Sequence, residues 1–433
     1  MQLRFPDKKL TIRNIADEGN TPLFRPHPGR PQQLAFKGAE QYYPNHESGK
    51  SGPWTKGAVG SFETPDQWLT RLKADTVIAF FGYNSAQNGQ ADLERYKKEL
   101  AAFIDHSLSQ KYNGNTPPQL ALVSPTAIQD LSTTHHTPDG KELNSKLALY
   151  TKAMADICKQ KGVIFIDVFA PSKAYFSAQK EPQTVDGALL NSNGYQWLAK
   201  QLANNLYGKA KVDHAEGIRE LVHATVKEKN WVWHNLYKIP NGVHVYGRRH
   251  RPFGPQNYPD ELIKLAEMTE LRDKAIWKAL KGEKTDYETE DALTHQLKPI
   301  PSNYKPSKKN GAARYLSGQE TIKHLTLPEG YKIQLFADEQ MFPELANPVQ
   351  MSFDNRGRLW VGCMPSYPHW RPGDPKPKDS LLIFEDTDND GVADKRTIFA
   401  DDLHLCIGFE LTKEGVIVSQ ADSIILLTDT DGD

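Results

Sequence analysis

The apolar positions of this chain change their period twice. Up to Gly208, short apolar runs alternate with segments of helical spacing. Leu10–Ala16 (L-T-I-R-N-I-A), Thr76–Phe81 (T-V-I-A-F-F), Gln119–Val123 and Val163–Val168 read as strands. Among them Trp68–Leu72, Asp92–Leu108, Leu143–Lys161 and Ser192–Tyr207 read as helices, the last facing inward with Tyr195, Leu198, Leu202 and Leu206. This alternation predicts a three-layer α/β domain over residues 1–208, with a parallel sheet covered on both faces. Chemistry in such sheets gathers at the carboxyl ends of the strands. Thr21–Gly60, rich in proline and glycine, predicts a long surface excursion.

The second pattern covers residues 209–319. Val212–Lys229 and Pro259–Leu280 predict a helical hairpin, with Arg248, Arg249 and Arg251 in a basic loop at its tip and Gly282–Gln319 as a polar linker. The aromatic patch Asn230–Lys238 follows the first helix. Trp231, Trp233 and Tyr237 there either stack on a sugar or pack the hairpin on the preceding domain, and packing is the commoner fate of such residues. The third pattern, residues 320–433, is all-β. Tyr331–Ala337, Val349–Phe353, Leu359–Cys363, Leu381–Glu385, Thr397–Ala400, Gly415–Ser419 and Ile424–Thr428 are short strands separated by turns such as Asp354–Gly357 and Thr412–Gly415. They predict a sandwich or the first blades of a β-propeller, being too few to close one.

Composition narrows the partners. A chain of 433 residues, 38% hydrophobic and 25% charged, is that of an ordinary globular, multidomain protein. Its net charge of -1 gives no electrostatic case for nucleic acid or a membrane surface. No apolar run is long enough to span a bilayer, and Met1–Leu10 lacks the apolar core of an export signal. Cys158, Cys363 and Cys406 form no C-x-x-C, which argues against a thiol redox pair, a zinc knuckle and a c-type haem site.

The densest candidate chemistry is Asp386–Lys395, D-T-D-N-D-G-V-A-D-K. Alternating carboxylates at Asp386, Asp388 and Asp390 repel one another unless a cation sits among them, and Gly391 supplies the sharp turn of a calcium loop. The backbone carbonyl of Val392 and the carboxylate of Asp394 complete the expected ligands. Thr397 stands where an EF-hand needs its bidentate glutamate, so the loop starts like an EF-hand and ends differently, between two strands. The alternative is an acidic, solvated hairpin turn. A second copy begins at Asp429-Thr430-Asp431-Gly432-Asp433, where the sequence stops, and from this the chain is expected to be a fragment.

Gly19 after a strand, F-F-G-Y-N-S at Phe80–Ser85 and D-G-A-L-L-N-S-N-G-Y at Asp186–Tyr195 resemble three of the four blocks of the SGNH (GDSL-type) esterases. The resemblance implies oxyanion positions at Gly19 and Asn84 and the triad aspartate at Asp186. Two departures stand against activity. No Gly-Asp-Ser block precedes Gly19, and Leu189 occupies the place of the triad histidine. Without an imidazole no general base deprotonates a serine. His135 and His136, in an expected loop, substitute only by coincidence of geometry. Hydrolysis by this chain is therefore not expected.

From Leu325 onward, L-P-E-G-Y-K-I-Q-L-F-A, F-P-E-L-A-N-P-V-Q-M-S-F-D-N-R-G-R-L-W-V, P-S-Y-P-H-W and L-L-I-F-E-D-T-D-N-D-G-V-A-D-K resemble the opening of the PVC-type membrane-bound dehydrogenase domain. That family is a propeller similar to sugar dehydrogenases that use pyrroloquinoline quinone. The resemblance implies a quinone only in a longer parent, a periplasmic or cell-surface location, and carbohydrate or carbohydrate ester as partner. Three function classes stay open: an enzyme, a carbohydrate-binding module without catalysis, and a scaffold.

Overall fold

In the computed structural model the described residues are 1–17, 19–25, 34–42, 64–208, 214–238, 254–299, 316–367, 370–421 and 423–430. The chain divides into two compact units, Met1–Ala215 and Glu216–Asp433. Among the described residues no helix is long and apolar enough to cross a membrane.

The first unit follows the alternation of its sequence. Its elements are α1 (Pro65–Arg71), β1 (Thr76–Phe80), α2 (Leu93–Ser109), β2 (Gln119–Val123), α3 (Ser132–His135), α4 (Lys141–Lys161), β3 (Ile164–Ile166), α5 (Phe169–Ala178) and α6 (Ser192–Tyr207). A capping box between Thr64 and Gln67 starts α1. Gly162, left-handed at φ 69°, ends α4, and the Asn191 side chain accepts the amides of Asn193 and Gly194 to start α6. The strands are parallel in the order β1-β2-β3. Alternation along β2 supplies both faces. Leu120 and Leu122 pack under α2 and α4 with Tyr96, Leu100, Ile104, Tyr150 and Met154. Ala121 and Val123 pack on the opposite face with Ile166, Val168 and Trp197. The result is three layers.

Two expectations for this unit fail. Leu10–Ala16 is not a strand in this structure, and Ile12 is 38% exposed. Alternation marks one apolar side but cannot supply the neighbouring strand that a ladder requires. Tyr195 does not face inward but is 59% exposed, and Trp197 takes the buried place beside Leu198, Leu202 and Leu206. Of the excursion Thr21–Gly60, residues 26–33 and 43–60 lie outside the described residues.

The second unit begins with α7 (Glu216–Tyr237), α8 (Gly254–Ala279), α9 (Tyr287–Ala292) and α10 (Gly318–Ile322). The aromatic patch does not follow α7 but belongs to it, since nothing between Lys229 and Tyr237 breaks a helix. Its residues pack rather than face solvent as a platform. Trp233 is 2% exposed and stacks on Tyr237, and Trp231 meets Trp370 edge-on at 4.5 Å, within this unit. The segment expected to be a linker is partly folded. The α9 residue Asp291 takes two hydrogen bonds from Arg272, at 2.7 and 2.8 Å, and Arg272 also holds Glu228 at 2.9 Å. Burial works against the Glu228 charge, but hydrogen bonds from Lys376 and Arg272 outweigh it and hold its carboxyl below the usual range. Arg248, Arg249, Arg251 and residues 300–315 lie outside the described residues.

Two antiparallel sheets follow. The first is four-stranded, in the order β4 (Pro348–Phe353), β5 (Leu359–Cys363), β6 (Asp379–Glu385) and β7 (Lys395–Leu403). The second has β8 (Phe409–Leu411), β9 (Val416–Gln420) and β10 (Ser423–Leu427). Trp360, Leu381, Ile383 and Leu403 of the first sheet bury against Phe409, Val416 and Val418 of the second. Val361, Cys363, Leu382 and Phe384, on the other face, are covered by Phe336, Ala337, Phe342 and Leu345. Tyr331–Ala337 is thus not a strand. It lies across a sheet face, and Phe336 O accepts the Ala393 amide beyond β6 at 2.8 Å instead of joining a ladder.

Candidate functional site

The chain leaves β1 through Gly82, at φ +112°, where a side chain would press on the Pro125 ring at 3.2 Å. Asn84 follows, and its Nδ2 donates to the Gly19 carbonyl oxygen at 2.8 Å. The turn carrying Asp186 is fixed from beneath by Gln129. The Gln129 Oε1 accepts from the amides of Gln183 (2.9 Å) and Thr184 (3.1 Å) and from Thr184 Oγ1 (2.8 Å), while its own amide donates to Gly187 O (2.8 Å). Both Gly82 and this turn rest on residues 125–129, just past the carboxyl end of β2. Gly19, Asn84 and Asp186 therefore share the carboxyl edge of the sheet.

The groups at this edge are already engaged with backbone. Asp186 Oδ1 accepts the amides of Ala188 (2.9 Å) and Leu189 (2.7 Å), closing a turn. Leu189 is 56% exposed and offers no nitrogen. His135 bonds Thr134 Oγ1 at 2.7 Å, and among the described residues neither it nor His136 meets Asp186. Burial first, and the Asp186 carboxylate second, push the Tyr83 phenol up. Two atoms here, Asn20 Oδ1 and Ser85 Oγ, are buried with no hydrogen-bond partner among the described residues. Sequence reading missed Gln129, because a lone polar residue carries no local signal of what it will face.

The acidic loop between β6 and β7 is arranged differently. Oxygens of Asp386, Asp388 and Asp394 lie within 4.8 Å of one another. Asp390 does not join them, since its Oδ1 accepts the Val392 amide at 2.8 Å. Burial opposes the Asp386 charge, but the amides of Gly391, Asn389 and Asp390 outweigh it and hold its carboxyl below the usual range. Gln334 Nε2 braces the loop through Asp390 O at 2.8 Å. Three carboxylates that converge in this way suit a hard cation of the calcium type. Of the second copy, residues 431–433 lie outside the described residues.

Other reactive groups are engaged elsewhere. His106 Nε2 lies 2.9 Å from Asp66, whose other oxygen takes the Tyr112 hydroxyl at 2.7 Å, and Phe36 stacks on the imidazole at 3.8 Å. No hydrogen bond from this ring to a serine exists among the described residues. Burial pushes the thiols of Cys158 and Cys363 up to about 12 and that of Cys406 up to about 11, so none is a ready nucleophile.

Comparison with known proteins agrees with the division into units. Residues 15–219 match the GDSL-like lipase/acylhydrolase family, and residues 317–433 match a domain family of unknown function, DUF7133. The GDSL-like match thus lies almost wholly in the first unit. Among solved structures, a lipase/acylhydrolase from Enterococcus faecalis is 18% identical with a TM-score of 0.25, over 34% of this chain and 67% of that one. A catalytic mutant of Axe2, an acetylxylan esterase from Geobacillus stearothermophilus, is 14% identical with a TM-score of 0.27, over 33% of this chain and 64% of its own. LAE5, an α/β hydrolase from the metagenome of Lake Arreo, is 18% identical with a TM-score of 0.25, over 31% and 61%. The chain thus spans about two thirds of the length of each. No curated protein matches it.

Proposed function

We propose that the first unit is an SGNH-type domain that does not turn over esters in this chain. The observation that carries this reading is the 2.8 Å bond from Asn84 Nδ2 to Gly19 O. An oxyanion donor must point its N–H at the developing charge. Here one of the two N–H groups of Asn84 Nδ2 is turned onto the carbonyl of the residue that would share the task. Leu189 adds the second deficit, since a leucine takes no proton from a serine. Assayed with p-nitrophenyl acetate, the chain is expected to show no turnover above buffer. Turnover that disappears in Asn84→Ala would overturn the reading. Restoring chemistry requires both a Gly-Asp-Ser strand and Leu189→His, because triad members act as a unit.

The second unit, in the same proposal, is the opening of a calcium-binding, dehydrogenase-like propeller in a protein of carbohydrate breakdown at the periplasm or cell surface. A four-stranded antiparallel sheet with a second sheet on its apolar face supports the propeller. So do Ile417, Ile424 and Leu426, which the second sheet leaves exposed as a further sheet would require. Asp386, Asp388 and Asp394 would hold the ion, with the Val392 carbonyl as a fourth ligand. Calcium titration by calorimetry, expected to give one site per chain, tests the metal.

A further inference from the structure

We draw no further inference here: the strongest candidate, the exposed apolar face that Met351 and Phe353 give to β4 at the edge of the four-stranded sheet, carries nothing, because nothing among the described residues shows what covers it.

Discussion

The two candidate sites differ in what their polar atoms have left to do. At the edge of the first sheet the side chains are turned onto their own backbone: Asn84 onto Gly19, Asp186 onto Ala188 and Leu189. In the loop between β6 and β7 the carboxylates of Asp386, Asp388 and Asp394 point at one another, although amides of the loop support them. The first arrangement engages Asn84 and Asp186 Oδ1 within the fold and is poor as catalysis. The second is incomplete as electrostatics, since three like charges within 4.8 Å gain from any cation placed among them. Retaining the residues of a motif is therefore no measure of retaining its chemistry. The measure is which valences remain open once the chain has folded.

Calcium is the strongest way to break this contrast. At a hundredfold excess over its dissociation constant a bound ion stabilises the fold by about 2.7 kcal/mol. For a unit of this size that is roughly 5–10 °C in melting temperature. Asp388→Ala should remove the calcium shift and change little in chelator, and magnesium should substitute poorly because it demands a tight octahedron. Equal melting in calcium and chelator for the unmutated chain would leave the loop an acidic hairpin turn.

What the sequence disclosed follows the same line. Helices were legible because their apolar spacing is a property of one segment, and Ser192–Tyr207 has the bounds its pattern predicts. Leu10–Ala16 and Tyr331–Ala337 misled because a strand is a property of two segments. Of Tyr331–Ala337, Phe336 and Ala337 pack against a sheet face, while Tyr331 and Ile333 stay exposed. For the sites, Asn84 and Asp186 came with their motifs, and so did the carboxylates of the acidic loop. That Asn84 bonds a carbonyl, that Asp390 turns to Val392, and that Gln129 holds the Asp186 turn all depend on how distant loops meet.

Gln129 tests how firmly the first edge is built. Gln129→Ala deprives the buried amides of Gln183 and Thr184 of their acceptor and should cost about 1–3 kcal/mol. Urea unfolding of the first unit measures it. A loss under 0.5 kcal/mol, on the order of a neutral surface change, would mean that the Asp186 turn stands without it. In the second unit Asp354 offers a comparison with the acidic loop, being a carboxylate whose partners are all present. Burial alone would raise its pKa, but the Trp360 indole and the Arg358 and Arg356 groups hold it down at about 2. A carboxyl whose pKa is lower in the folded state stabilises the fold above its unfolded pKa. This contribution should be complete above about pH 4 and lost as the pH falls toward 2. Asp354→Asn should flatten that acid limb, and an unchanged limb would show that other carboxylates govern it.

The smallest expected effect is the most telling about the first site. Asn84→Ala removes one hydrogen bond between exposed groups, Nδ2 to Gly19 O. Water can replace a donor at an exposed carbonyl, so the loss in stability should stay below about 1 kcal/mol. Were Asn84 still poised as an oxyanion donor, the same change would cost a working enzyme about 10²–10³ in rate. With the donor already turned onto Gly19 and leucine at position 189, there is no rate for it to lower. Unfolding curves and p-nitrophenyl acetate assays on the same two proteins should accordingly differ only slightly in the first and not at all in the second. A measurable drop in turnover would place an open Asn84 donor in solution and return this edge to the catalytic class.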